Sequence, residues 1–183
     1  KKYGEHSAIN MFTEISMINA SPLEEFTGFT EDEVNSLCMD YQKDYNKMKN
    51  WYDGYEIGKY SIYNPKSVVE SIVRNSFRNY WTSTETYEAL KDYIRLDFDG
   101  LREKVTSMIA GEKVRINTAK FQNDMTTLNS ADDVLTLLVH LGYLTYGEIN
   151  SMGTGEVWIP NGEVRQEFIN SIEDGGWEHL MRS

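Results

Sequence analysis

Apolar and polar positions along this chain change period several times, and the changes mark out its elements. Val34, Leu37, Cys38, Tyr41, Tyr45 and Met48 recur near one face at helical spacing. They follow Thr30-Glu31-Asp32-Glu33, a capping box in which the threonine hydroxyl takes an early N–H and Glu33 returns to the Thr30 amide. The spacing predicts one helix from there to about Asn50, with acids in its first turn complementing the helix dipole. Tyr52–Tyr55 and Lys59–Tyr63 then read as two short strands joined through Ile57-Gly58. Asn64-Pro65 is an N-cap followed by proline at the first helical position, where its missing N–H costs nothing. That helix is expected to reach about Asn75. After Tyr80-Trp81, a Thr/Ser cluster predicts a helix from about Thr86 to Arg95. Asp97 and Asp99-Gly100 mark a break before another helix that ends at Ala110-Gly111.

The second half follows a different order. Val114–Asn117 is a strand candidate and Phe121–Asn129 is polar and irregular. Ser130 caps a helix over ADDVLTLLVHLG, with Asp132 and Asp133 in its first turn and Gly142 at its end. Tyr143–Ile149 and Glu156–Ile159 alternate on either side of the turn-rich Asn150–Gly155, the pattern of a β-hairpin with a loose tip. Asn161 caps a last helix to about Glu173. Helix, strand, helix and two-stranded wing in that order is the plan of a winged-helix subdomain. The expected fold is mainly α within the α+β class: a helical, lid-like region with an aromatic hairpin over residues 1–97, then a winged-helix-like subdomain with a C-terminal helix over 98–183.

Composition narrows the functional classes. The 183 residues are 40% hydrophobic and 13% aromatic, which fits a folded chain, and no apolar run approaches a membrane span. A single cysteine, Cys38, excludes an internal disulfide framework and fits a reducing compartment, so the cytoplasm is the expected location. Cys38 falls on a helix, as a buried, inert thiol would. The chain opens on Lys1, which reads as a fragment of a longer protein. The net charge of −11 opposes a nucleic-acid surface over the whole chain. Charge argues against DNA locally too: between Lys120 and Arg165 there is no Lys or Arg, whereas Asp124, Asp132, Asp133, Glu148, Glu156 and Glu163 are acidic. A recognition helix and wing without cations make a poor DNA reader, and a protein–protein or interdomain role is the better expectation.

Motifs for chemistry are absent or incomplete. Gly54-Tyr55-Glu56-Ile57-Gly58-Lys59-Tyr60 has three residues between its glycines instead of four, and Tyr60 where a phosphate loop needs Ser or Thr. It reads as a hairpin turn, and Gly153-Thr154-Gly155 as a wing tip. His6, His140 and His179 are scattered, with no ligand pair on one helix face and no partner for a catalytic triad. His140 lies at a helix C-terminus, where an imidazolium suits the dipole. Asp53, between Tyr52 and Gly54, is the one acid in an aromatic setting; it either orients the turn through backbone hydrogen bonds or meets a ligand or partner. No catalytic, cofactor-binding or metal residue is assigned.

The most specified stretch is WYDGYEIG with IYNPKSVV (Trp51–Val69). With GFTEDEV (Gly28–Val34), NYWTST (Asn79–Thr84), HLGYLT (His140–Thr145) and WIPNGEV (Trp158–Val164), it resembles the bacterial AAA-ATPase-like family. In that family a P-loop domain comes first and a restriction-endonuclease-like nuclease domain often comes last. Lys66 departs from the pattern, which often has a bulky aromatic there. The family's nucleotide and nuclease motifs are not in this chain, so the resemblance implies a middle region: a non-catalytic lid with a winged-helix-like subdomain. Such a region would couple a nucleotide-binding domain to an effector domain in cis, with ATP and magnesium belonging to the longer protein. Residues expected to carry the family signature or an interface are Trp51, Tyr52, Asp53, Gly54, Tyr55, Tyr63, Asn64, Pro65, Tyr80, Trp81, Gly142, Tyr143, Pro160 and Asn161. The alternative is a nucleic-acid-binding module using Arg74, Arg78, Lys113, Arg115 and Lys120. A carbohydrate-active enzyme has the least support, because no acid pair flanks a substrate groove.

Overall fold

The Thr30 capping box forms, and it starts the first helix. The Thr30 side chain accepts from the Glu33 amide and the Glu33 carboxylate accepts from the Thr30 amide at 2.8 Å. The computed structural model describes residues 23–57, 59–80, 92–94, 98, 100–119 and 128–174. Helix α1 runs Glu31–Asp40 and then stops, so the single helix expected to reach Asn50 is two. Gln42 takes a left-handed φ of 52°, and Asp44 opens helix α2 (Tyr45–Tyr52) by accepting from the Lys47 amide at 3.1 Å. The break turns the chain so that Val34 and Cys38 of α1 meet Met48 and Tyr52 of α2 in one core, while Tyr41, expected on the same face, is exposed.

Tyr52 is therefore the last residue of a helix, and the strand expected at Tyr52–Tyr55 starts later. Strand β2 is Tyr55–Ile57 and β3 is Tyr60–Tyr63, paired antiparallel with Ile57 opposite Tyr60. A third strand, β1 (Phe29–Thr30), adds to the other edge of β3, giving the order β1-β3-β2. Helix α3 (Pro65–Arg74) begins as expected: the Asn64 side chain accepts from the Lys66 amide at 3.0 Å, and Asn75 ends the helix in the left-handed region. Tyr63, Val68 and Tyr80 complete the first core with the residues of α1 and α2.

The second core is larger. Helix α4 is Leu101–Ile109, β4 Val114–Asn117, α5 Ala131–His140, β5 Thr145–Tyr146, β6 Thr154–Trp158 and α6 Gly162–Asp174. Strands β4, β6 and β5 form an antiparallel sheet in that order, with Val114 opposite Val157 and Tyr146 opposite Val157 on its other side. Ser130 caps α5, accepting from the Asp133 amide at 3.2 Å, and the Asp133 carboxylate takes the Ser130 hydroxyl and the Asn129 amide. Leu101, Val105, Leu135, Leu138, Val164 and Phe168 are among the side chains sealed between these helices and the sheet. The class is α+β, with two small antiparallel sheets. Of the helix expected at Thr86–Arg95, only Asp92, Tyr93 and Ile94 are described, and these are helical. Most of Phe121–Asn129, with Asp97, Asp99 and Trp81, lies outside the described residues. Among the described residues no helix is long and apolar enough to cross a membrane.

Candidate functional site

The two cores meet along a seam, and residues from the sequence blocks singled out above gather there. Helix α2 ends in Trp51-Tyr52 and packs against α6, while β2 runs beside β5. Between them Asp53 and Gly54 turn the chain. Gly54 has φ +111°, and a Cβ built on it would lie 2.7 Å from the carbonyl carbon of Pro160. Only glycine satisfies both the backbone angle and the close approach. Gly162 makes a second close passage, where a Cβ would stand 3.3 Å from the Asn50 carbonyl oxygen.

Tyr55 crosses the seam and donates its hydroxyl to the Gly142 carbonyl at 2.8 Å. The Glu56 amide donates to the Thr145 hydroxyl at 3.3 Å one residue further on. At the other end of the seam, Glu163 in the first turn of α6 is 1% exposed and receives two donors from the first lobe. The Ser67 hydroxyl reaches its Oε1 at 2.9 Å and the Tyr80 amide reaches the same oxygen at 2.7 Å. One turn along, the Asn79 carboxamide donates to Glu167, which is also buried. A buried carboxylate is tolerated when donors surround it, and a helix N-terminus adds a favourable field.

Other described residues singled out in the sequence hold these elements in place. Tyr52 is fully buried; its hydroxyl donates to the Arg78 carbonyl at 2.9 Å and accepts from the Arg78 amide at 3.1 Å. Its ring lies 6.4 Å from those of Phe77 and Tyr80 and 6.3 Å from Trp51. Burial pushes the phenols of Tyr52, Tyr55 and Tyr63 well above their ordinary range, so none is an acid or base near neutrality. Asp53 accepts from Ser61 on β3 and pairs with Lys49 at 3.6 Å, and Lys49 in turn holds Glu31 at 2.6 Å. Asp53 thus braces the turn. Gly142 has a positive φ, Tyr143 packs edge-on to Phe168 at 6.4 Å, and Asn161 caps α6 through the Val164 amide at 3.0 Å.

Sequence reasoning missed Ser67, Asn79, Glu163 and Glu167. The signal was present: Glu163 and Glu167 share a helical stripe with Val164, Phe168 and Ile172, where a solvated acid does not belong. His140 ends α5 as expected, but burial lowers its pKa, so the imidazolium anticipated as a dipole partner is disfavoured. Cys38 is buried and its thiol is pushed up, first by burial and then by Asp44, as suits an inert side chain. Among the described residues no group of three or more His, Cys, Asp or Glu is gathered as a metal ion requires.

Three of the basic residues weighed for nucleic acid are engaged locally. Arg74 pairs with Glu70, Arg78 lies 5.3 Å from the Tyr80 ring centre, and Lys113 stands 3.7 Å over the ring of Trp158. Arg115 sits opposite Glu156 on the β4–β6 ladder, and Lys120 is outside the described residues.

A cavity of about 310 Å³ opens along the seam beside Tyr55, walled by β2, β3, the Asn64-Pro65 corner and the end of α5 through β5.

Comparison with known proteins adds one relative. A protein of Azotobacter chroococcum mcd 1, named "Uncharacterized protein in vnfD 5'region", is 26% identical over 173 residues, 91% of this chain. The match spans 31% of that protein's length. No protein-family model matches the chain, and no solved structure matches it.

Proposed function

We propose that this chain is a non-catalytic connector, the lid and interaction region of an AAA-ATPase-like protein, coupling a nucleotide-binding domain to a downstream effector domain. The observation that carries this reading is the seam itself. Residues quoted for the family resemblance, from WYDGY, YNP, Asn79-Tyr80, HLGY and WIPNGEV, meet there and tie one lobe to the other, and the arrangement has the form of a joint. Its carboxylates accept hydrogen bonds from fixed donors, and its phenols are held neutral by burial. Neither arrangement offers a nucleophile or a poised proton.

The order α4, β4, α5, β5, β6 and the sheet β4-β6-β5 suit a winged-helix-like subdomain over 98–183, preceded by a helical lid with an aromatic hairpin over 1–97. A joint of this kind carries motion as a rigid body: a displacement of α1–α3 by a neighbouring nucleotide domain would move α4–α6 with it. The match to 31% of a longer relative agrees with a role inside a larger polypeptide. Titration calorimetry of the chain with Mg-ATP tests the reading. No saturable binding is expected up to about 1 mM nucleotide, whereas a dissociation constant near about 1 μM would contradict it.

A further inference from the structure

The cavity on the seam carries a specific chemical preference. Its apolar walls come from both lobes, with Ile57 and Ile62 on one side and Val139 and Leu144 on the other. The hydrogen bonds Tyr55–Gly142 and Glu56–Thr145 span the gap between these walls, so the space is preformed rather than a slack contact. At about 310 Å³ it matches the lower range of small-molecule sites.

The electrostatics of the lining lean to one sign: the N-terminus of α3 at Asn64-Pro65 also lies in the wall, but its Lys66 and Ser67 amides are already taken by the Asn64 side chain. Among the described residues lining the cavity there is no Lys or Arg, and Glu56, exposed at its edge, is the one acidic residue. The last turn of α5 and its cap, Val139 to Gly142, form part of the wall, and a helix C-terminus bears partial negative charge. Tyr55 and Tyr146 bring aromatic rings, whose quadrupoles attract cations. His140, the other ionisable ring in the wall, is disfavoured by burial in its charged form and adds little opposing charge at neutral pH.

We infer that this cavity is a binding site for a small organic cation, an ammonium or amidinium group carried on an apolar or aromatic body of modest size. The same features disfavour phosphates and carboxylates relative to such a cation. The site is therefore separate in its chemistry from any nucleotide-binding role of a neighbouring domain.

Phenethylamine, 2-phenylethanol and phenylacetate share nearly one shape and differ in charge. The test titrates each into the whole chain while following the His140 ring resonances by NMR. Phenethylamine is expected to bind saturably, shift those resonances, and do so at least about tenfold more tightly than 2-phenylethanol. Phenylacetate is expected to be weakest. The exposed Glu56 can be changed without disturbing a core, and Glu56→Gln is expected to cut the amine's preference over the alcohol by about threefold. Tyr146→Ala is expected to weaken the amine further. Equal affinity for all three probes, tighter binding of phenylacetate, or His140 resonances unmoved at about 10 mM phenethylamine would each overturn the assignment.

Discussion

Tyr55 and Gly142, 87 residues apart in sequence, are joined by a 2.8 Å hydrogen bond from the phenol of one to the carbonyl of the other. The bond crosses between two hydrophobic cores and depends on the Gly54 turn that aims the ring. Removing the hydroxyl in Tyr55→Phe leaves the ring's packing intact and the Gly142 carbonyl without this donor. The loss should be about 1 kcal/mol in a urea unfolding curve. Because the bond lies between lobes, residue-resolved hydrogen exchange should show faster opening in both lobes of the variant.

Gly54 should be among the least replaceable residues of the chain. Gly54→Ala meets a positive φ and the Pro160 carbonyl at once, so a loss of about 2–4 kcal/mol is expected. Gly100 is the control, with φ +79° and nothing within 4 Å of a built Cβ. Gly100→Ala should cost about 1 kcal/mol, from the backbone angle alone. Equal effects in paired denaturation curves would show that the Gly54–Pro160 passage does not matter.

Glu163 distinguishes a structural carboxylate from a spare acid. Glu163→Ala strands the Ser67 hydroxyl and the Tyr80 amide in a buried seam and should cost about 3 kcal/mol. In Glu163→Gln the side-chain carbonyl can still accept from both donors, so a smaller loss of about 1 kcal/mol is expected. A solvated acid would show neither the loss nor the ranking.

Acidification supplies an independent prediction. Burial lowers the His140 pKa in the folded chain below its ordinary value near 6.5. The unfolded chain therefore binds the extra proton first, and this contribution to stability is complete above about pH 6.5 and lost as pH falls through the folded value. The urea midpoint should fall between about pH 7.5 and 5.5, and His140→Gln should reduce that fall. An unchanged pH profile in the variant would place the titration elsewhere.

Local chemistry made much of the fold legible before the structure. The Thr30 capping box, Asn64-Pro65, Ser130 and Asn161 start helices where the sequence placed them, because a cap is a local device that tertiary packing rarely overrides. The break between α1 and α2 was hidden because it uses Gln42 in a left-handed conformation, with neither glycine nor proline to announce it. Strand β1 is two residues long, too short for alternation to register. The seam was half legible: its aromatic and glycine residues stood out, but the partners of Glu163 lie 83 and 96 residues away, a pairing no local pattern encodes. The cavity was invisible for the same reason, since its walls come from segments about eighty residues apart.

A connector requires the seam to weld its two cores into one mechanical unit. Residue-resolved hydrogen exchange across a urea series tests it most directly, comparing amides of α1–α3 with those of α4–α6. The most protected amides of both lobes should open with the same free energy and the same urea dependence, as one cooperative unit. If α1–α3 opened at lower urea while α4–α6 stayed protected, the lobes would be independent and the connector reading would fail.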